Sequence, residues 1–259
     1  MNKIYKKNEV TFAIILIVIY VVGTSLAESL SASIGVEKLV PAIFHLVFTG
    51  VVLGWILKNG YGEKYGLILP KYKLKRAWFF LPLIIIACVD MIAGFEIRFS
   101  VLETVLFIIS MLCVGFLEEI IFRGFLFVGM AKNNVRAAII VSSITFGIGH
   151  IVNLFNGQNL PETILQIVFA IAVGFTLVGL FYKGKSLIPC IIFHGVNNAL
   201  SAITKENAEA AKMFSMSESM FELVFVSILI VISLIYALYI MRKADLSEEK
   251  NGVKSSSDT

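Results

Sequence analysis

Long uninterrupted apolar runs constrain this chain more than any other feature. Stretches 10–27, 39–57, 77–95, 101–130, 136–155, 163–182, 186–203 and 221–241 are each apolar for about the length that crosses a bilayer, and charged or Gly-rich residues separate them. In hydrocarbon every backbone N–H and C=O must be satisfied within its own segment, so runs of this length are predicted to be helices. Their apolarity is continuous and does not alternate, which argues against a transmembrane β-barrel. The expected fold is all-α, a polytopic membrane helical bundle of about eight transmembrane helices. Composition points the same way: with 58% hydrophobic and 15% charged residues, too little polar surface remains to cover a soluble globule.

The charges set the orientation. Lys3, Lys6, Lys7, Lys58, Lys64, Lys71, Lys73, Lys75, Arg76, Lys132, Arg136, Lys183, Lys185, Arg242, Lys243, Lys250 and Lys254 collect on one side of such a bundle. Lys38, Arg98, Lys205 and Lys212 fall on the other. Cytoplasmic loops carry the basic excess, so both termini are predicted to be cytoplasmic, with the chain multi-pass in the cell membrane. The net charge of +4 is divided among segment ends and forms no single patch, so nucleic acid is not expected as a partner. The first run follows Lys3, Lys6 and Lys7 and ends in Ser25-Leu26-Ala27, a pattern that a signal peptide also shows; its length favours an uncleaved helix. The basic, Gly-rich stretch 58–76 reads as a solvated cytoplasmic loop. The organisation expected is one membrane domain over 1–243 and a disordered cytoplasmic tail over 244–259, rich in Ser, Lys and Glu.

Charge inside a span costs about 2.5–3.5 kcal/mol at the helix centre on insertion scales, so each such residue needs a partner or a role. The fourth run holds Glu118, Glu119 and Arg123, the fifth holds His150, and the seventh holds His194 and Asn198. Glu119 and Arg123 are four apart and share a helix face, where they can pair. Glu118 points about 100° away, outside that pair and free to face a cavity. At ~1.5 Å per residue, Glu118 lies about 18 Å from Met130, His150 about 21 Å from Arg136, and His194 about 13 Å from Lys185, so the three can share one layer. The same rise makes the fourth helix about 45 Å long, which requires tilt or protrusion. Gly147, Gly149 and Gly195 sit beside the two histidines, where small residues let helix backbones approach. His45, in the second run, is expected to be a packed or hydrogen-bonded histidine. Cys88, Cys113 and Cys190 read as small buried hydrophobes. Cys190 is four residues before His194, but packing is preferred there to a thiol–imidazole nucleophile.

Glu118-Glu119-x-x-x-Arg123, Phe146-x-x-x-His150 and His194-x-x-x-Asn198 occur in that order on three separate runs. Together they resemble the three-motif signature of the CPBP family, the CAAX prenyl proteases and bacteriocin-processing enzymes also called Abi. The motif core spans 102–203. The resemblance implies an all-helical intramembrane endopeptidase acting on membrane-associated peptides or proteins. It assigns catalytic parts to Glu118, His150, His194 and Asn198, and completes the first motif with Glu119 and Arg123.

Two chemistries suit these residues. In one, Glu118 takes a proton from a water that His150 helps to hold, while His194 and Asn198 steady the oxyanion. In the other, Glu118, His150 and His194 ligate Zn²⁺, which is consistent with the metalloprotease usage of the family name. A non-proteolytic immunity or regulatory protein and an ion-coupled transporter are the alternatives from other classes. The second is disfavoured by the lack of a duplicated pattern between the two halves of the chain.

Overall fold

The structure, a computed structural model, describes residues 1–70, 80–88, 91, 94–205 and 207–243. It is a bundle of helices in chain order: α1 (Asn2–Lys7), α2 (Glu9–Ile34), α3 (Leu39–Lys58), α4 (Leu81–Cys88), α5 (Val101–Glu118), a π-helical stretch (Glu119–Phe127), α6 (Val128–Ala131), α7 (Val135–Ile148), a 3-10 stretch (Gly149–Leu154), α8 (Leu160–Gly184), α9 (Ile188–Leu200), α10 (Asn207–Met213) and α11 (Glu218–Lys243). No strand occurs among the described residues, only an isolated bridge between Phe95 and Thr204. The helical membrane bundle expected from the apolar runs is thus the fold.

Among the described residues, six helical stretches are long and apolar enough to cross a bilayer: Glu9–Ile34, Leu39–Lys58, Val101–Ala131, Val135–Leu154, Leu160–Gly184 and Glu218–Arg242. The other two expected spans hold shorter apolar helices. The run 186–203 contains α9, and the run 77–95 contains α4, with residues 77–79, 89–90 and 92–93 of that run outside the described residues. The expected tail 244–259, with Lys250 and Lys254, and the basic residues Lys71, Lys73, Lys75 and Arg76 also lie outside them.

The helices start and stop where their caps dictate. Asn8 accepts from the Thr11 amide at the start of α2, and Gly35 closes that helix at φ 78°, a left-handed geometry that glycine adopts without strain. Ser100 and Glu103 form a reciprocal capping box at the start of α5. The same Glu103 carboxylate accepts the Glu37 amide at 3.0 Å, which ties the α2–α3 turn to α5. Asn134 and Asn159 cap α7 and α8.

The bundle packs α5 against α3 and α9, and α8 against α7 and α11. The apolar window of α8 is 56% buried, against 28% for those of α2 and α11, so α8 is the inner post and those two present Ile, Val and Leu to lipid. Small residues set the closest approaches. A Cβ on Gly115 would lie 2.5 Å from the Cα of Gly195, and one on Gly147 would lie 2.9 Å from the carbonyl oxygen of Ile167. Gly147 therefore acts as the sequence suggested, whereas at Gly195 a Cβ would make ordinary contact at 3.4 Å with Leu112 and the close approach depends on Gly115. Gly149 does not act so, since a Cβ there meets nothing within 4 Å.

The stretch after α3 departs from the expected solvated loop. Tyr65 is 1% exposed and Tyr61 packs beside it, in a cluster with Tyr5, Phe12, Trp55 and Phe125. The Lys64 ammonium bonds to Tyr5 and, at 2.7 Å, to Glu9, which also holds Lys132 at 2.8 Å. Burial by itself would lower the pKa of Lys64, but these hydrogen bonds outweigh it and hold the pKa above its ordinary value. Aromatic side chains at the membrane boundary gain more from packing under the bundle than from solvent exposure, and they take the loop with them.

Candidate active site

The long helix that starts at Val101 changes its winding at the first motif. Glu118 ends α5, and the backbone then runs as π-helix from Glu119 to Phe127, every residue of which is buried. A π-turn in an apolar helix is uncommon and concentrates at functional sites. Here it begins between the two glutamates.

Glu119 and Arg123 pair as the four-residue spacing predicts. Arg123 Nη1 donates to Glu119 Oε1 at 3.0 Å, and both side chains are fully buried. The guanidinium carbon lies 4.0 Å from the centre of the Phe146 ring, a cation–π contact in a desolvated place. The first residue of the Phe146-x-x-x-His150 motif thus gains a physical reason. The ring of Phe146 also lies 5.4 Å from that of His150 and 5.7 Å from that of His194, both edge-on.

His194 stands between the two carboxylates. Its Nδ1 is 2.8 Å from Glu119 Oε1 and its Nε2 is 3.2 Å from Glu118 Oε2. The carboxylate of Glu119 thus fixes the ring that in turn reaches Glu118, and Arg123 donates to the same carboxylate oxygen, Oε1. The approach depends on α9 lying directly on α5 at Gly115 and Gly195. Gly115 went unnoticed in the sequence, because one glycine in an apolar run signals nothing about its neighbour.

Glu118 is not left without a partner, as the helical wheel suggested. Besides His194, its Oε1 accepts a hydrogen bond of 2.7 Å from the hydroxyl of Tyr20 on α2. Tyr20 is 6% exposed and lies 98 residues away in the chain. Sequence reasoning missed it. The available signal was a tyrosine hydroxyl deep in an apolar run, a group that needs a hydrogen-bond partner when buried.

Glu118, His150 and Asn198 line one cavity of about 360 Å³, together with Tyr20, Phe146 and Asn197 among others. Glu119, Arg123 and His194 do not line it and sit behind Glu118. His150 lies in the 3-10 stretch that follows α7, and its Nδ1 is 3.3 Å from the carbonyl oxygen of Phe146. A carbonyl only accepts, so a neutral His150 bonded there carries its proton on Nδ1 and keeps a lone pair on Nε2.

His45, expected to be satisfied structurally, is fully buried with Ser110 and Thr24 hydroxyls each 2.9 Å from a ring nitrogen; it also borders the cavity. Cys190 is fully buried and its thiol is directed at the Leu177 carbonyl at 3.6 Å, a packing role. Cys88 is exposed, against the expectation of burial, on a short helix at the outer face of the bundle.

The zinc reading needs Glu118, His150 and His194 as three converging ligands. Among the described residues no three His, Cys, Asp or Glu side chains are grouped so as to hold a metal ion. Both ring nitrogens of His194 are directed at carboxylates, which leaves neither lone pair toward an ion shared with His150. The donor set as arranged does not fit a three-ligand zinc site.

Residues 100–200 match a family model described as Type II CAAX prenyl endopeptidase Rce1-like. The matched segment carries all three motifs and supports the CPBP, or CAAX protease, family that they resemble. No curated protein and no solved structure matches the chain.

Proposed function

We propose that this chain, with its motif segment in the CAAX protease family, is an intramembrane endopeptidase in which Glu118 activates a water against a peptide carbonyl. The family match supports a membrane protease in general terms. The observation that carries the finer reading is the cavity at Glu118, where a carboxylate held by Tyr20 and His194 faces the same space as His150 and Asn198. At about 30 Å³ of liquid volume per water, that space admits a nucleophilic water beside a segment of peptide.

The steps follow from these residues. The lone pair on His150 Nε2 accepts a hydrogen bond from the water and orients it. Glu118 takes one proton from the water, and the oxygen forms a bond to the peptide carbonyl carbon, giving a tetrahedral oxyanion. The amide of Asn198 donates to that oxyanion; preorganised donors of this kind are worth about 3–4 kcal/mol each. The C–N bond then breaks, and the leaving nitrogen takes the proton held by Glu118. The products are a carboxylic acid and an amine, and the proton of the acid passes to the amine to give a carboxylate and an ammonium. Tyr20 and His194 hold Glu118 in place, and Glu119 with Arg123 orients His194. The oxyanion role first read for His194 thus passes to Asn198 alone. In the membrane we place both termini in the cytoplasm, following the basic residues.

The test is cleavage of quenched-fluorescent peptides, CAAX-type and leader-type, by purified wild type and Glu118→Ala, each with and without a chelator. Cleavage by wild type, lost in Glu118→Ala and insensitive to chelator, is the expected result. Equal activity in the two proteins would remove Glu118 from the chemistry, and loss on chelation would restore the metal. Retention of a cellular immunity phenotype by Glu118→Ala would instead favour a binding role.

A further inference from the structure

The two ends of the bundle are distinct in the structure, and the cavity communicates with one of them. The end that carries the N-terminus is knit by Glu9 with Lys64 and Lys132, and by the bond of 2.6 Å from the Ser186 hydroxyl to the Ile68 carbonyl. The opposite end is knit by Glu37 with Glu103, by the Glu96 amide with Ile203, and by the Lys205 amide with Gly94.

From Glu118 the cavity runs past Thr24 to Glu28, Lys38, Asn153, Asn156 and Ser201. Each of these five belongs to the opposite end. Glu28 is in the last turns of α2, Lys38 is the N-cap of α3, Asn153 and Asn156 close the 3-10 stretch, and Ser201 caps the C-terminus of α9. Among the described residues, Phe122 and Phe146 line the cavity toward the N-terminal end, with buried Ile121, Phe125 and Leu126 beyond. A second groove continues outward from the mouth: it shares Glu28, Lys38, Asn153 and Asn156 and adds the exposed Ser29 and Phe155.

We infer that the catalytic cavity opens to the extracytoplasmic side and takes its peptide from there. This rests on the peptidase reading and on the orientation given above, in which the basic residues place the N-terminal end in the cytoplasm. The lining fits a peptide strand approaching by this route. Asn153, Asn156, Gln166, Asn197 and Asn198 supply carboxamides, each with a donor and an acceptor, the same pair of groups that an extended backbone offers. The mouth is polar, with Glu28 and Lys38 paired at 2.6 Å, and Val21, Met111, Val114 and Phe122 line the deeper part of the cavity. The substrate is accordingly a peptide segment presented at the outer face of the membrane.

The experiment is thiol labelling of the full chain in cells with a charged, membrane-impermeant maleimide, read above the signal of the unsubstituted protein. Asn156→Cys probes the mouth, Asn197→Cys the depth of the cavity, and Asn133→Cys the N-terminal end. Asn156→Cys and Asn197→Cys should label fully in intact cells, and Asn133→Cys only after permeabilisation. Labelling of Asn197→Cys only after permeabilisation overturns the inference, whether Asn156→Cys follows it or not. Met111→Cys, also on the cavity, replaces Asn197→Cys if that variant fails to accumulate. Labelling needs no turnover, so this result stands apart from the Glu118→Ala cleavage test of the peptidase reading.

Discussion

Gly115→Ala is the substitution that tests most directly whether helix approach builds the site. An added Cβ would lie 2.5 Å from the Cα of Gly195, whereas ordinary contact begins at 3.4 Å, so α5 and α9 must separate by roughly 1 Å. Glu118 and Glu119 move with one helix and His194 with the other. The distance of 3.2 Å between Glu118 and His194 would then pass beyond hydrogen-bond range. A misplacement of about 1 Å at a catalytic group costs about 100-fold in rate, and overpacking a core costs about 1–3 kcal/mol of stability. Gly195→Ala is the internal control, because its Cβ meets Leu112 no closer than 3.4 Å. The assay is kcat on the best-cleaved peptide with thermal unfolding in detergent measured alongside. Wild-type kcat and Tm in Gly115→Ala would refute the reasoning, and so would a loss in Gly195→Ala as large as in Gly115→Ala.

Tyr20→Phe removes only the hydroxyl that donates to Glu118, a hydrogen bond to a charged group worth about 1.5–3 kcal/mol, so kcat should fall by about 10- to 100-fold with KM nearly unchanged. An unchanged kcat would assign that tyrosine to packing. Arg123→Met leaves the Glu119 carboxylate buried without its cation and should destabilise the protein by about 3–5 kcal/mol, seen as a lowered denaturation midpoint. The double variant Glu119→Gln/Arg123→Met should recover part of that stability while remaining slow, since His194 loses its orienting carboxylate. The raised pKa of Lys64 gives stability that is fully present below its unfolded value near 10.5 and is lost as pH rises through the folded value. Thermal unfolding of wild type should therefore decline above about pH 10.5 more steeply than that of Lys64→Met; parallel curves would remove the linkage.

Local physics wrote much of this protein into its sequence. Bilayer hydrocarbon obliges each apolar run to satisfy its own backbone, so helix positions follow from hydropathy one segment at a time. Side chains four apart share a face, so the Glu119–Arg123 pair was legible from spacing alone. The motif residues were found for a related reason: polar groups in apolar runs stand out because each is costly there.

Tertiary structure decided what each polar group faces. Spacing left Glu118 free, but rotation and packing of α2 and α9 bring Tyr20 and His194 onto its two oxygens. Depth arithmetic placed His194 in the right layer and could not say that its ring bridges two carboxylates behind the cavity. The buried loop at Tyr65 and the cavity mouth at Glu28 and Lys38 likewise depend on segments far apart in the chain. The backbone of a membrane helix is satisfied from within, but the partners of its side chains come from whichever helices pack against it. Sequence therefore determined where the helices lie and which polar residues fall within the apolar runs, whereas only the packing of α2, α5 and α9 decided how those residues meet.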